Sequence, residues 1–303
     1  MNEYGNVLEN ADLKKYTTFG IGGKCKYLIE VKNENCLINL LKYLKNEKIK
    51  YYILGNGSNV ILDDSYFDGV VIRLNNLNKI TINDNFVTAS CGVKLGFLNN
   101  VCLQESLVSL NFASLIPGTV GASVMGNAGC YNHDMMEYVY KVKVLTKDFE
   151  VKEILKSEIK YGYRFTNLND YIILSVTFIL EKGDPIKALK DMKENNEKRL
   201  NSQPLNEKCV GSIFKNPEGV SAGKLIDTLN LKGYHINDAK ISEKHANFIV
   251  NNGNASFKDV IELINFIKIK VFENYGISLE VEPIIVRWSS LWKKIIRNIK
   301  KLD

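Results

Sequence analysis

The sequence predicts a mixed α and β protein built in more than one domain, of the α+β class. Three observations predict it. KYLIEV (26–31) and YYILG (51–55) flank a segment with leucines at helical spacing, giving the order strand, helix, strand. Residues 137–180 turn strand-rich, through EYVYKVKVLT, FEVKEI and YIILSVTFIL. After NSQPLNE (201–207), a polar stretch with a proline and the best linker in the chain, the pattern changes to short α and β pieces.

The elements follow in order. Leu37, Leu40, Leu41 and Leu44 put one apolar stripe on a helix over 34–46, and the strands around it suggest a parallel α/β unit. VVIRL (70–74), KITI (79–82) and FVTASC (86–91) read as further strands, and VKLGFLNNVCLQE after Gly92 as a helix. Asp184-Pro185 is a helix start, a cap followed by proline in the first turn, and that helix runs to about Arg199. Ser256 to Asp259 reads as a capping box. It opens a helix with Val260, Leu263, Ile264, Ile267 and Val271 on one face, stopped at Gly276. LEVEPIIV (279–286) is predicted as the final strand.

Composition narrows the classes. The 303 residues are 45% hydrophobic and 24% charged, ordinary for a globular protein with a sizeable core. The N-terminus is polar, without the apolar stretch of a secretory signal, and YIILSVTFIL is too short to span a bilayer as a helix. The expectation is a cytoplasmic protein. Six scattered cysteines, none in a CxxC pair, argue for reduced thiols and against structural zinc or a disulfide framework. The net charge is +6, of which residues 287–303 carry +5, so the body is not a nucleic-acid binder by charge. That tail is amphipathic through Trp288, Leu291, Trp292, Ile295, Ile296 and Ile299. It reads as a terminal helix docked on its own protein, with contact to an acidic membrane surface as the alternative.

Two glycine-rich segments stand out. Gly55, Asn56, Gly57, Ser58 and Asn59 follow directly on a strand, and such a loop turns N–H groups inward as a nest for phosphate oxygens. Val60 stands where a dinucleotide fingerprint needs its third glycine, and no GK[ST] of a Walker loop occurs. A plain tight turn is the alternative. Residues 114–132, SLIPGTVGASVMGNAGCYN, carry no formal charge and hold Pro117, Gly118, Gly121, Gly126 and Gly129. A flat ligand could lie on this bare backbone and bond to Asn127; a turn packed under another domain is the alternative.

Taken in order, TTFGIGG (17–23), GNGSNV (55–60), IPGTVGASVMGNAG (116–129), YGYR (161–164), GSIFKNP (211–217), AGKLID (222–227), SEKHANFIVN (242–251) and LEVE (279–282) form a set. It resembles the UDP-N-acetylenolpyruvoylglucosamine reductase (MurB) family of peptidoglycan synthesis, over about residues 12–286. The resemblance implies a two-lobed FAD-binding domain of the vanillyl-alcohol-oxidase (PCMH) type, lobes 1–75 and 76–200, then an α+β substrate-binding domain at 201–286. It implies that NADPH reduces FAD and that the flavin passes a hydride to the enolpyruvyl ether of a UDP-sugar. A small-molecule enzyme without nucleic-acid partners, monomeric, is expected. Thr18, Gly55 to Asn59, Pro117, Gly118, Thr119, Gly121, Asn127 and Gly129 would hold the cofactor.

The chemistry needs a cation at the substrate carboxylate and a proton donor over the adjacent carbon. The resemblance assigns these to Arg164 and Ser212, and assigns Glu282 to orienting or stabilising the enol. Strand alternation puts Glu280 on the same face as Glu282, so either glutamate fits. Pro283-Ile284 departs from the family's usual Val-Arg there, and Thr166 stands for a usual serine. Tyr163, Lys215, Asn216 and His245, with Asn247 beside the last, would contact substrate. Cys130 reads as a small apolar substitute. Between AGKLID and SEKHANF the chain is short, as in the family's type without a tyrosine-bearing loop. The other readings are an FAD-linked oxidase of a small alcohol or sugar, and a nucleotide-binding regulator without catalysis.

Overall fold

The computed structural model describes residues 1–288; the basic tail read above lies, from residue 289 on, outside the described residues. The chain folds into two compact units. One holds residues 1–7, 29–56 and 71–201, and the other holds 8–28, 57–70 and the chain from Ser202 on.

The first unit contains a five-stranded antiparallel sheet. Its strands run, edge to edge, Val151–Leu155, Val139–Leu145, Ile172–Ile179, Phe86–Ser90 and Ile80–Asn83. Ile154, Val142, Val176 and Ala89 stand opposite one another across four strands and are all buried. The central strand Ile172–Ile179 is buried on both faces, with Ile173 and Thr177 buried on one side and Leu174, Val176 and Phe178 on the other. Five helices belong here: α1 (Glu34–Asn46), α2 (Leu95–Gln104), α3 (Val120–Met125), α4 (Met135–Tyr138) and α5 (Pro185–Ser202). The four leucines expected on one face of α1 are all buried, and Asn33 caps it through Cys36 N. Asp184 caps α5, its Oδ1 accepting from Ile186 N at 2.9 Å. The strand expected from Glu137 begins at Val139 instead. The residues before it form α4, because Asp134 and Glu137 close a capping box there.

The second unit is built around α7 (Phe257–Tyr275), which follows α6 (Ala222–Thr228). Ser256 and Asp259 form the expected capping box, and Gly276 ends the helix at φ 68°. Val260, Leu263, Ile264, Ile267 and Val271 pack with Phe19, Ile21, Ile213, Phe214 and Ile241 in one core. Short antiparallel strands His235–Ile236, Ala239–Ile241 and Ile249–Asn251 lie beside it.

The final strand differs from the expectation. Only Ile284–Val286 is a ladder strand, and it runs parallel to Val60–Leu62. Residues 279–282 instead make a single bridge, Val281 to Phe214. Pro283 separates the two: it has no N–H to donate and holds Glu282 extended.

Candidate active site

In the first unit Gly55 and Asn56 face the segment 114–132. Asn56 Nδ2 donates to Pro117 O at 2.6 Å, and a Cβ on Gly55 would lie 3.4 Å from Thr119 Oγ1 and Ala122 Cβ. The segment 117–121 is zipped to residues 91–95. Val120 N and Gly121 N donate to Val93 O and Cys91 O, and Leu95 N donates to Gly118 O. A Cβ on Gly121 would stand 2.7 Å from Cys91 Cβ, so this glycine is required by packing. Gly126 and Gly162 are different. A Cβ would meet nothing nearer than Ala122 O at 3.7 Å at the first, and nothing within 4 Å at the second. There the bare backbone faces open space.

A hairpin joins this loop. Tyr161–Gly162 pairs with Phe165–Thr166, leaving Tyr163 and Arg164 as the turn. Arg164 has φ 53°, a left-handed conformation uncommon for a residue with a side chain. Its guanidinium lies over the Tyr163 ring, 5.2 Å from the centroid, and Nη2 donates to Gly129 O at 2.7 Å. Thr166 Oγ1 donates to Met125 O at 2.6 Å. Asn127, itself at φ 44° and buried, donates from Nδ2 to Gly162 O and accepts at Oδ1 from Met136 N. Its amide therefore holds the hairpin to the loop. Cys130 Sγ donates to Phe112 O, and burial pushes its thiol pKa up against the pull of Arg199 and Arg164. The thiol is a packed, protonated group. Tyr131 donates from its hydroxyl to Asn195 O on α5.

The second unit holds the other set. Thr18 N donates to Gly57 O, while Thr18 Oγ1 donates to Cys209 O at 2.6 Å. Gly57 has φ 66°, and a Cβ there would run into Tyr16 O. Asn59 O accepts from Ile284 N. Ser212 follows Gly211, which has φ 84° with open space where its side chain would be. The next residues are pinned by Asn247: its backbone O accepts from Ile213 N, its Oδ1 accepts from Phe214 N, and its Nδ2 donates to Phe214 O.

Against that segment lies LEVE. Glu282 N donates to Ile213 O and Lys215 N donates to Glu280 O, both at 2.9 Å. Glu282 thus stands beside the residue that follows Ser212. Glu280 is turned to Lys215, Oε1 to Nζ 2.7 Å. Asn216 Oδ1 accepts from Ala222 N at the start of α6. His245 Nδ1 accepts from Asn247 N at 3.2 Å, so its proton sits on Nε2. Burial, then Lys232, lowers its pKa, with Asp227 opposing.

The structure therefore brings Gly55, Asn56, Pro117, Gly118, Thr119, Gly121, Asn127, Gly129, Tyr163 and Arg164 together in one unit. It brings Ser212, Lys215, Asn216, His245, Glu280 and Glu282 together in the other, with Thr18, Gly57, Ser58 and Asn59. Sequence reading understated the organising roles of Thr166 and Asn247. Their signal is a small polar residue that ends up buried, which residue type alone does not reveal.

Residues 203–286 match the profile of the UDP-N-acetylenolpyruvoylglucosamine reductase C-terminal domain, and residues 25–154 match an FAD binding domain. The chain is 40% identical to the UDP-N-acetylenolpyruvoylglucosamine reductase of Caldanaerobacter subterraneus subsp. tengcongensis, over 93% of this chain and 94% of that one. It is 38% identical to that of Clostridium kluyveri, over 90% and 91%. Among solved structures it resembles the MurB reductase of Thermus caldophilus, with a TM-score of 0.78 and 32% identity, over 93% of this chain and 98% of that one. Likeness over nine-tenths of both sequences, with matching profiles on both sides of residue 201, leads to one conclusion: the chain belongs to the UDP-N-acetylenolpyruvoylglucosamine reductase family.

Proposed function

We propose that this chain is a UDP-N-acetylmuramate dehydrogenase, which reduces UDP-N-acetylglucosamine enolpyruvate to UDP-N-acetylmuramate with FAD and NADPH, in the cytoplasm and as a monomer. Residues 1–200 hold the cofactor and residues 201–286 the sugar nucleotide. The observation that carries the reading is the pairing of the Ser212 segment with Glu282 through Glu282 N and Ile213 O.

The residues fit a flavin dinucleotide. Residues 114–132 contain no carboxylate to repel a diphosphate. At Gly126 and Gly162 the backbone is open to a flat ring. The contacts come from Gly55 to Asn59, Pro117 to Thr119, Gly121 and Gly129. Asn127 and Thr18 act behind them, since their side chains bond within the protein. When bound, FAD supplies the two electrons and the hydrogen that saturate the terminal enolpyruvyl carbon, having taken them from NADPH.

Arg164 grips the enolpyruvyl carboxylate. Its guanidinium is planar, stays charged, and presents N–H donors in a fork that matches a carboxylate as negative charge builds. Ser212 Oγ delivers the proton to the adjacent carbon. Glu282 orients the enol next to that hydroxyl. Lys215, steadied by Glu280, and Asn216 meet the substrate diphosphate, while His245 and Tyr163 border the sugar nucleotide. The short stretch between α6 and SEKHANF places this chain with the family's type without the tyrosine loop.

Ser212→Ala tests the assignment. NADPH should still bleach the flavin at the wild-type rate. Product formation should fall by about 10²-fold or more, the scale of a lost general acid. Slow bleaching with unaffected later steps would refute the role.

A further inference from the structure

Within the second unit lies a cleft of about 280 Å³ lined by Lys14, Lys15, Thr17, Thr18, Gly20, Lys208, Gly253 and Asn254. Apart from Thr18, none of these residues belongs to the site assigned above. Three lysines line one small space. Among the described residues no carboxylate is in ion-pair distance of Lys14, Lys15 or Lys208, and none lines the cleft. Two acids bond to the backbone of the lining segments instead: Asp12 Oδ1 accepts from Lys14 N at 3.2 Å, and Asp238 accepts from Asn252 N and Asn254 N.

The walls are fixed by one buried side chain. Asn251 is 7% exposed and lies behind the cleft. Its Nδ2 donates to Phe19 O at 3.0 Å, its Oδ1 accepts from Gly253 N and Ala255 N, and its backbone N donates to Lys208 O. One asparagine so ties together all three lining segments. Thr17 Oγ1 donates to Ile21 O and braces the turn at Gly20. Gly20, at φ 66°, leaves room for the Lys208 stem, whose Cδ lies 3.1 Å from the missing Cβ.

Lysines gathered around one cleft give it a positive potential, which favours an anion. Ammonium groups bind phosphate oxygens as point charges, without the geometry of a guanidinium fork. The volume is below that of common drug-sized pockets, so it suits a small ion rather than a dinucleotide. We propose that this cleft is a binding site for a small, multiply charged phosphate oxyanion of the pyrophosphate class.

The test is calorimetric titration of sodium pyrophosphate into the flavin-loaded full chain at low ionic strength, with sodium chloride of matched ionic strength as control. The expected result is saturable one-site binding, weakened more than about tenfold when Lys14→Gln, Lys15→Gln and Lys208→Gln are combined. The corresponding Lys→Arg triple variant should keep binding, and the flavin absorbance of both should match wild type. Absence of saturable binding, or an unchanged affinity in the Gln variant, would overturn the proposal. So would loss of flavin from the Gln variant, which would make the cationic cleft part of the cofactor's own diphosphate site.

Discussion

Arg164 is the residue where sequence and geometry diverge most. The resemblance carried by YGYR proposes it as the carboxylate clamp, yet nothing in the letters says that it adopts φ 53° at the tip of a turn. A left-handed arginine persists only where its surroundings hold it, here Gly129 O and the Tyr163 ring. Arg164→Lys keeps the charge and loses the fork, so kcat/KM should fall by about 10²-fold with flavin binding intact. The two glutamates were inseparable by alternation alone. Lys215 separates them, because it engages Glu280. Glu282→Gln should therefore lower kcat, while Glu280→Gln should act mainly on KM; equal effects on kcat would contradict the division. His245 gives a pH signature. Its folded pKa is lowered by burial, whereas the unfolded chain takes up a proton near the usual value of about 6.5. Its stability contribution is thus full above that value and is lost as pH falls through about 6.5 towards the lower folded value. Melting temperature should drop over that range, and His245→Gln should flatten the drop.

At the scale of elements, long amphipathic helices were legible because burial repeats with the helical period. The predicted stripes of α1 and α7 are the buried ones. Short elements were not legible. The strands of two or three residues between 235 and 251 have too few positions to show a period. The final strand was overread because its apolar pattern continues through Pro283, where the ladder cannot. Two substitutions test the elements. Ser256→Ala removes the α7 cap and should cost about 1 kcal/mol in chemical denaturation, without changing activity. Thr166→Val removes the bond to Met125 O that fastens the Arg164 hairpin. It should raise KM for the enolpyruvyl substrate while NADPH still reduces the flavin normally, and Thr166→Ser should restore KM.

For the whole molecule, the polar stretch 201–207 falls where the chain passes from one unit to the other. What the sequence could not reveal is that residues 57–70 group with the C-terminal part. Their link is the parallel pairing of Val60–Leu62 with Ile284–Val286, more than two hundred residues apart in the chain. Local pattern carries no information about such a contact. The cysteines show the same limit. Their spacing argued for reduced thiols, and none of the six is in a disulfide. Burial pushes the Cys91 and Cys102 thiols up to about 12 and raises those of Cys130 and Cys209, while Cys25 is buried. Native alkylation at neutral pH should accordingly modify Cys36 first, as mass spectrometry of the labelled peptides would read. The central claim concerns the reaction, and anaerobic stopped-flow at the flavin absorbance band tests it most directly. The flavin-loaded protein is reduced with NADPH and then mixed with UDP-N-acetylglucosamine enolpyruvate. The account predicts rapid return of the oxidised absorbance without oxygen and one UDP-N-acetylmuramate per flavin. Reduced flavin that persists with this substrate and reoxidises only in air would contradict it.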